Sequence, residues 1–366
     1  MSDCRVGFYV HHHGRGHAHR TREIVAHLSG TAYLFGTDLS AIEDIASRRT
    51  ICQTLPSDTS QTDSYAEDWP EVLHYAPLGI PTIRGRMHAL VNFFEKYNLD
   101  LLVVDVSVEI ALLARLCGIP TIYSRQHGYR QDPAHVAAFQ SATSLLAPYP
   151  RAWEEPETPN WVKKKTFYAG GFSRLNDQTL SQSDAKEIAS MSAHQKHVVV
   201  MTGFGGEEEP YQLLAETARK NTQWQWWVLG PISPSASSPD NLHYLGVQSN
   251  PYPYLKGADV VVASAGNNTV MELAEIKARY ICIPEARPFD EQLSKARLLA
   301  RKNAALVLPQ WSKPSVWENH LRQVQHTDTD ALNSIIADGA ARRAAQHIEE
   351  VAYTQRTTTD LTVLNT

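Results

Sequence analysis

Short runs of apolar, β-branched residues alternate along the whole chain with longer segments of helical periodicity, the pattern of a parallel α/β protein. In the first half the runs Val6–Val10, Ala32–Phe35, Leu101–Asp105, Thr121–Tyr123 and Leu145–Ala147 predict strands, with helices at Thr21–Leu28, Met87–Tyr97 and Val108–Cys117. Pro56–Pro70 is polar and aperiodic and predicts a long loop, a feature that in compact domains is usually functional or disordered. Over Tyr149–Lys165 the composition changes, with Pro150, Pro156, Pro159 and then Lys163-Lys164-Lys165, as expected of a linker. The pattern then restarts with strands at His197–Met201, Trp226–Leu229, Val260–Ala263, Tyr280–Ile283 and Ala305–Leu308. Helices are expected near Pro210–Lys220, where Pro210 suits a first helical position, and at Thr269–Lys277 and Gln292–Lys302. Asp330–Ala352 is Ala-rich and helical, before a Thr-rich tail.

At roughly 100–200 residues per domain, a chain of 366 residues predicts two domains. The expected architecture is two doubly wound, Rossmann-like α/β domains, 1–160 and 161–328, facing across a cleft, with a helical segment 329–366 free to pack back on the first. Ligands of such sheets bind outside the carboxyl ends of the strands.

Composition narrows the function classes. Against 39 acidic side chains the chain sets 34 basic ones, a formal charge of −5, which argues against sequence-independent nucleic-acid binding. Cys4, Cys52, Cys117 and Cys282 are far apart with no CxxC pair, so neither a disulfide framework nor a zinc site is expected, and each cysteine reads as a small apolar residue in a reducing cytoplasm. Val6–Val10 is too short for a secretory signal, and Asp100, Asp105, Glu109 and Arg115 interrupt the most apolar stretch, Leu99–Ile122, so no membrane span is predicted. Ile83–Tyr97 mixes Arg84, Arg86 and Lys96 with Met87, Leu90, Val91, Phe93 and Phe94. It leaves peripheral membrane contact open, although an amphipathic helix packed on its own sheet is the simpler reading.

Four features carry candidate chemistry. Gly14-Arg15-Gly16-His17 follows the first strand and opens a helix. Its glycines permit close approach to a ligand, and an imidazole there can act as a general base, although a capping or packing role is the alternative. The adjacent His11-His12-His13 run does not suit a metal, because neighbours on an extended chain point to opposite faces. Asp105 ends a buried strand, where it can orient His17 or cap the helix Val108–Cys117, and the two roles are compatible. Thr202-Gly203-Phe204-Gly205-Gly206 offers backbone N–H groups to an anion but lacks the Lys-Ser/Thr of a P-loop. The strongest feature is Ser264-Ala265-Gly266-Asn267-Asn268-Thr269-Val270-Met271-Glu272, with Phe289-Asp290-Glu291-Gln292 after the next strand. Small residues and amides at a helix start make a diphosphate seat; Glu272 can accept from a diol, and Glu291 and Gln292 can read hydroxyls in the same cleft.

With these residues in view the sequence resembles the GT-B glycosyltransferases of family 28 and family 1 type, which include the MurG-like cell-wall enzymes and the plant and antibiotic UDP-sugar transferases. Gly16-His17 resembles their first Gly-rich loop with its acceptor-activating histidine, and Leu102-Val103-Val104-Asp105 through Cys117-Gly118-Ile119-Pro120 the later unit whose aspartate partners it. Arg125-Gln126-His127-Gly128 resembles the loop that follows. The resemblance implies an inverting, metal-independent transfer of a sugar from a nucleotide-sugar, UDP-linked, to an acceptor hydroxyl on a small molecule, glycan or lipid. It implies no cofactor beyond that donor. His17 and Asp105 would be catalytic, with Gly14, Gly16 and His127 on the acceptor side. In the donor domain Gly203, Gly205, Gly206, Ser264, Gly266, Asn267, Asn268 and Thr269 would seat the diphosphate. Glu272 would hold the ribose, Glu291 with Gln292 the sugar, and Val247, in Leu245-Gly246-Val247, the base.

Two departures stand out. Ser264 occupies a place where the family often has His or Arg, removing a charge-assisted hydrogen bond worth about 1.5–3 kcal/mol. Either the first domain then supplies the cation, with Arg15 or Arg20 as candidates, or the nucleotide is bound differently. The first loop also lacks the double-Gly form of the cell-wall enzymes. Gly14-Arg15-Gly16-His17-Ala18-His19-Arg20 instead fits the GxGHxxR loop of nucleotide-sugar hydrolases of this architecture, so a hydrolase or a UDP-sugar 2-epimerase is the first alternative. A non-catalytic nucleotide-sugar binding protein is the second.

Overall fold

The computed structural model describes residues 4–11, 15–40, 42, 50–58, 70–175, 178–202, 213–232, 234 and 238–363. Two compact units divide them: Met1–Gln126 with Arg130–Gly171 and Asp338–Thr366, and His127–Tyr129 with Phe172–Ala337.

The first unit is built on seven strands, β1 (Arg5–Tyr9), β2 (Thr31–Gly36), β3 (Thr50–Thr54), β4 (Leu101–Asp105), β5 (Thr121–Ser124), β6 (Ser144–Ala147) and β7 (Thr166–Tyr168). They form one parallel sheet in the order β3-β2-β1-β4-β5-β6-β7. The order reverses between β1 and β4, which pair with Tyr9 opposite Val104, so the ends of β1 and β4 share the sheet's switch point. Strands buried on both faces carry unbroken apolar runs, which is why β4 reads Leu-Leu-Val-Val-Asp. The edge strands were not predicted. β3 reads Thr-Ile-Cys-Gln-Thr with a single aliphatic side chain, and β7 has three residues behind a run of lysines.

Because β7 pairs with β6, the chain leaves the first unit after Gly171, whereas the composition change suggested 160. The presumed linker holds a helix, Asn160–Lys165, and this edge strand. The helix Pro81–Tyr97 starts on a proline and stops at Asn98 in the left-handed region. Its Leu90, Phe93 and Phe94 join Tyr9, Phe35, Leu102 and Val104 in the core. Leu90, Phe93 and Phe94 therefore pack in the core and Met87 against it, while Val91 is exposed. No helix of the described residues is long and apolar enough to cross a membrane.

The second unit repeats the plan with β8 (Lys196–Met201), β9 (Trp224–Leu229), β10 (Leu242–Gly246), β11 (Val260–Ala263), β12 (Tyr280–Cys282) and β13 (Leu306–Val307), parallel in the order β10-β9-β8-β11-β12-β13. Val198, Val200, Trp226, Val262, Ile281 and Trp317 are central to its core. The long C-terminal helix expected over Asp330–Ala352 is two helices, Thr329–Asn333 and Ala340–Val363, separated at Gly339, which has a φ of 68°. The second belongs to the first unit. Arg343 donates to the carbonyl of Ala169, His347 stacks on Phe167 at 4.1 Å, and Glu349 accepts from the backbone and hydroxyl of Ser29. All four thiols are free; Cys4 and Cys282 are buried, but Cys52 and Cys117 are exposed rather than core residues.

Candidate active site

In the first unit the helix Arg15–Val25 follows β1 in the chain and carries His17 in its first turn. His17 Nδ1 lies 2.6 Å from Asp105 Oδ2 at the end of β4. Arg20, nearly one turn further on, donates to Asp105 Oδ1, and its Nη2 also lies 3.1 Å from His17 Nδ1. A guanidinium has no acceptor, so Asp105 receives both the arginine N–H and the imidazole Nδ1–H. That leaves Nε2 as the nitrogen able to take a proton. Burial works against ionisation of Asp105, but Arg20 and His17 outweigh it and hold the carboxyl well below the usual carboxylate range.

The capping role considered for Asp105 belongs to Ser107, whose Oγ accepts from Ile110 N. Between them Val106 has a φ of 57°, a rare conformation for a β-branched residue and a local strain of about 1–3 kcal/mol. Arg20 is buried against Asp105, so it is not the cation expected for the diphosphate. Gly14 lies outside the described residues, and Gly16 is inside the helix beside His17.

In the second unit Gly266 precedes the helix Asn267–Glu275 and contributes no side-chain cap, so the N–H groups of the first turn remain available to a ligand. Asn268 and Thr269 stand half-buried on that turn. Behind them Ser264 is buried, its carbonyl accepting from Tyr280. Glu272 is buried two turns down, where Arg174 Nε donates to its Oε1 at 2.7 Å. Burial raises the pKa of this carboxyl and Arg174 offsets the rise only in part. Val247 is exposed directly after β10. Gly203, Gly205 and Gly206 lie outside the described residues.

Gln292 was expected to read a sugar hydroxyl, but its side chain is engaged within the protein. Its Oε1 accepts from Ala265 N and Glu285 N, and its Nε2 donates to Glu285 Oε2, tying together the loops after β11 and β12. Glu291 opens the helix Glu291–Arg301 after two consecutive left-handed residues, Phe289 and Asp290. The carbonyl of Phe289 accepts from Tyr129 N at 2.7 Å. Gly128, at a φ of 109°, comes so close that a Cβ would lie 2.4 Å from that same oxygen. His127 beside it is fully buried. Gly128 and Tyr129 thus brace the turn that leads into Glu291.

Sequence reasoning missed two cations. Arg174 stands alone between Ser173 and Leu175 without a motif. Lys295 is fully buried on the helix Glu291–Arg301, and its Nζ donates to Asn267 Oδ1 at 2.8 Å. Also unexpected is a group in the first unit able to hold a metal, His74, Asp132 and His135. Asp132 accepts from His74 Nε2 at 2.8 Å and from His135 Nδ1 at 2.6 Å. Arg130 donates to His135 Nε2, which fixes the proton on Nδ1, the nitrogen facing Asp132. Burial, reinforced by Arg130, depresses His135 to a pKa of about 3 despite Asp132. The trio is therefore closed by hydrogen bonds through the atoms a metal would need.

Residues 167–351, just over half of the chain, match the model of the glycosyltransferase family 28 C-terminal domain. The chain belongs to glycosyltransferase family 28. The family 28 match opens inside β7, spans the bulk of the second unit and closes in the last helix. An uncharacterized glycosyltransferase of Methanosarcina acetivorans is 26% identical over 168 residues, 44% of this chain and 42% of that protein. The UDP-N-acetylglucosamine–N-acetylmuramyl-(pentapeptide) pyrophosphoryl-undecaprenol N-acetylglucosamine transferase of Streptococcus pneumoniae is 23% identical over 209 residues, 55% of this chain and 56% of that protein. The chain thus spans about half the length of the curated relatives it matches. The fold is GT-B. The glycotransferase of kitacinnamycin superposes with a TM-score of 0.69 at 15% identity over 96% of this chain and 100% of that one. The MurG of Acinetobacter baumannii superposes with a TM-score of 0.63 at 14% identity over 95% and 99%.

Proposed function

We propose that this family 28 protein transfers a sugar from a UDP-sugar to an acceptor hydroxyl, with inversion and without a metal ion. The observation that carries the proposal is the buried Asp105 carboxylate on Nδ1 of His17. Nε2 of His17 takes the acceptor hydroxyl proton while that oxygen bonds to the anomeric carbon. The bond from that carbon to the phosphate oxygen breaks, and its electron pair leaves with UDP. Asp105 holds the imidazole in one tautomer and balances the charge it gains.

The donor belongs to the second unit. Backbone N–H groups of the first turn of the helix Asn267–Glu275 bind the developing charge on the diphosphate, so no divalent ion is needed. Glu272 accepts from the ribose diol, Glu291 contacts the sugar, and the backbone at Val247 pairs with uracil. Gln292 acts indirectly, holding the loops after β11 and β12 in place. The acceptor is a hydroxyl of a small molecule, glycan or lipid-linked sugar. The lipid-linked class is the one named for the Streptococcus pneumoniae relative.

Nucleotide-sugar hydrolysis is the second reading, favoured by the contact of Arg20, the arginine of the GxGHxxR pattern, with His17 and Asp105. A UDP-sugar panel incubated with and without hydroxyl acceptors separates the readings. Transfer gives UDP and a glycosylated product only when acceptor is present. Stoichiometric free sugar without acceptor identifies a hydrolase, an isomerised UDP-sugar a 2-epimerase, and binding without turnover a non-catalytic protein.

A further inference from the structure

We infer that Lys295 is a fixed cation behind the diphosphate seat, a positioning residue that acts through Asn267; this rests on the reading of that seat given above. Lys295 lies on the inner face of the helix Glu291–Arg301, one turn beyond Gln292, and is fully buried. Taking an ammonium out of water costs several kcal/mol unless its surroundings compensate. Here it stands behind the first residue of the helix Asn267–Glu275, the end at which the helix dipole is already positive. The lysine charge and the helix dipole both favour an anion at that end. Burial also spares the lysine charge most of the screening that salt gives a surface cation.

The contact fixes the asparagine as well. An ammonium only donates, so Oδ1 of Asn267 must face Lys295, which turns Nδ2 the opposite way as a donor. Gln292 and Lys295 therefore set the seat from one helix face, the first through the backbone of Ala265 and the second through the side chain of Asn267. Ser264 leaves the seat without the cation that His or Arg would bring. Lys295, in the second unit, stands in its place, whereas Arg174 is committed to Glu272 and Arg20 to Asp105.

Calorimetric titration of uridine, UMP and UDP into the full chain tests the inference, with wild type, Lys295→Met and Lys295→Arg compared. Lys295→Met fills similar volume without charge. It is expected to weaken UDP binding by about 10- to 100-fold, UMP by less, and uridine hardly at all. Lys295→Arg, which keeps the charge, is expected to restore most of the preference for UDP over uridine. An unchanged preference in Lys295→Met, or equal weakening of all three ligands, overturns the role of the lysine. If Lys295→Met does not fold, Lys295→Arg and Asn267→Ala decide. Asn267→Ala must lower the UDP preference while Lys295→Arg retains it, and the opposite result overturns the inference. A wild type with no preference for UDP over uridine overturns the seat itself.

Discussion

His17 Nδ1 and Asp105 Oδ2 stand 2.6 Å apart although 88 residues separate them in sequence. Neighbouring strands β1 and β4 at the switch point of the first sheet bring them together. Asp105→Asn removes the obligate acceptor and can present an N–H to Nδ1, forcing the proton to Nε2. Transfer is expected to fall by about 10²–10⁴-fold in kcat/KM. UDP affinity should be unchanged, because the proposed nucleotide contacts lie in the second unit, and steady-state kinetics beside a UDP titration check both.

Arg125 and Glu154 form a buried bidentate pair at 2.7 and 3.1 Å. Burial opposes ionisation of Glu154, but Arg125, Thr158 and Tyr168 prevail and lower its pKa from 4.5 to about 2. A depressed carboxyl stabilises the fold above its unfolded pKa and loses that contribution as pH falls through the folded one. Breaking the pair with Glu154→Ala is expected to cost about 3–5 kcal/mol at neutral pH. The gap to wild type should narrow between pH 4.5 and about 2, as denaturant unfolding across that range would show.

Gly128→Ala places a methyl group 2.4 Å from the Phe289 carbonyl at a φ of 109°. A left-handed site of this kind costs about 1–3 kcal/mol for a residue with a side chain. The turn before Glu291 must also shift, so a lower melting temperature is expected together with a raised KM for the donor sugar. A melting-temperature loss without any change in donor KM would separate the brace from Glu291.

On the proposed mechanism chelation is expected to leave turnover unchanged, because a helix N-terminus with the buried Lys295 behind it would stabilise the leaving diphosphate. His74, Asp132 and His135 should show no tight zinc binding by calorimetry, since Arg130 holds the tautomer that puts a proton on the nitrogen facing Asp132. Loss of activity in chelator with recovery on added metal would overturn both expectations.

Much of this was legible in the sequence. Central strands such as β4 and β11 are buried on both faces and carry unbroken apolar runs, so they stand out. Edge strands β3, β7 and β10 carry polar or short segments, because one side of each lies at the sheet margin. Gly14 and Gly16 before His17 and the small residues from Ser264 to Thr269 stand out in the sequence because glycines and small side chains permit close backbone approach. Arg174 and Lys295 were not. A lone arginine in a loop and a lysine in a charged helix look like solvated surface, and only the fold buries Lys295 against Asn267. Gln292 was found, but its role was misread, since sequence cannot tell that two backbone N–H groups occupy its oxygen.

The most direct test compares UDP release from a UDP-sugar in the presence of acceptor by wild type and His17→Ala. With His17 as the base, turnover by the variant should fall about 10²–10⁴-fold while its affinity for UDP stays at the wild-type value. Undiminished turnover by His17→Ala would contradict the account.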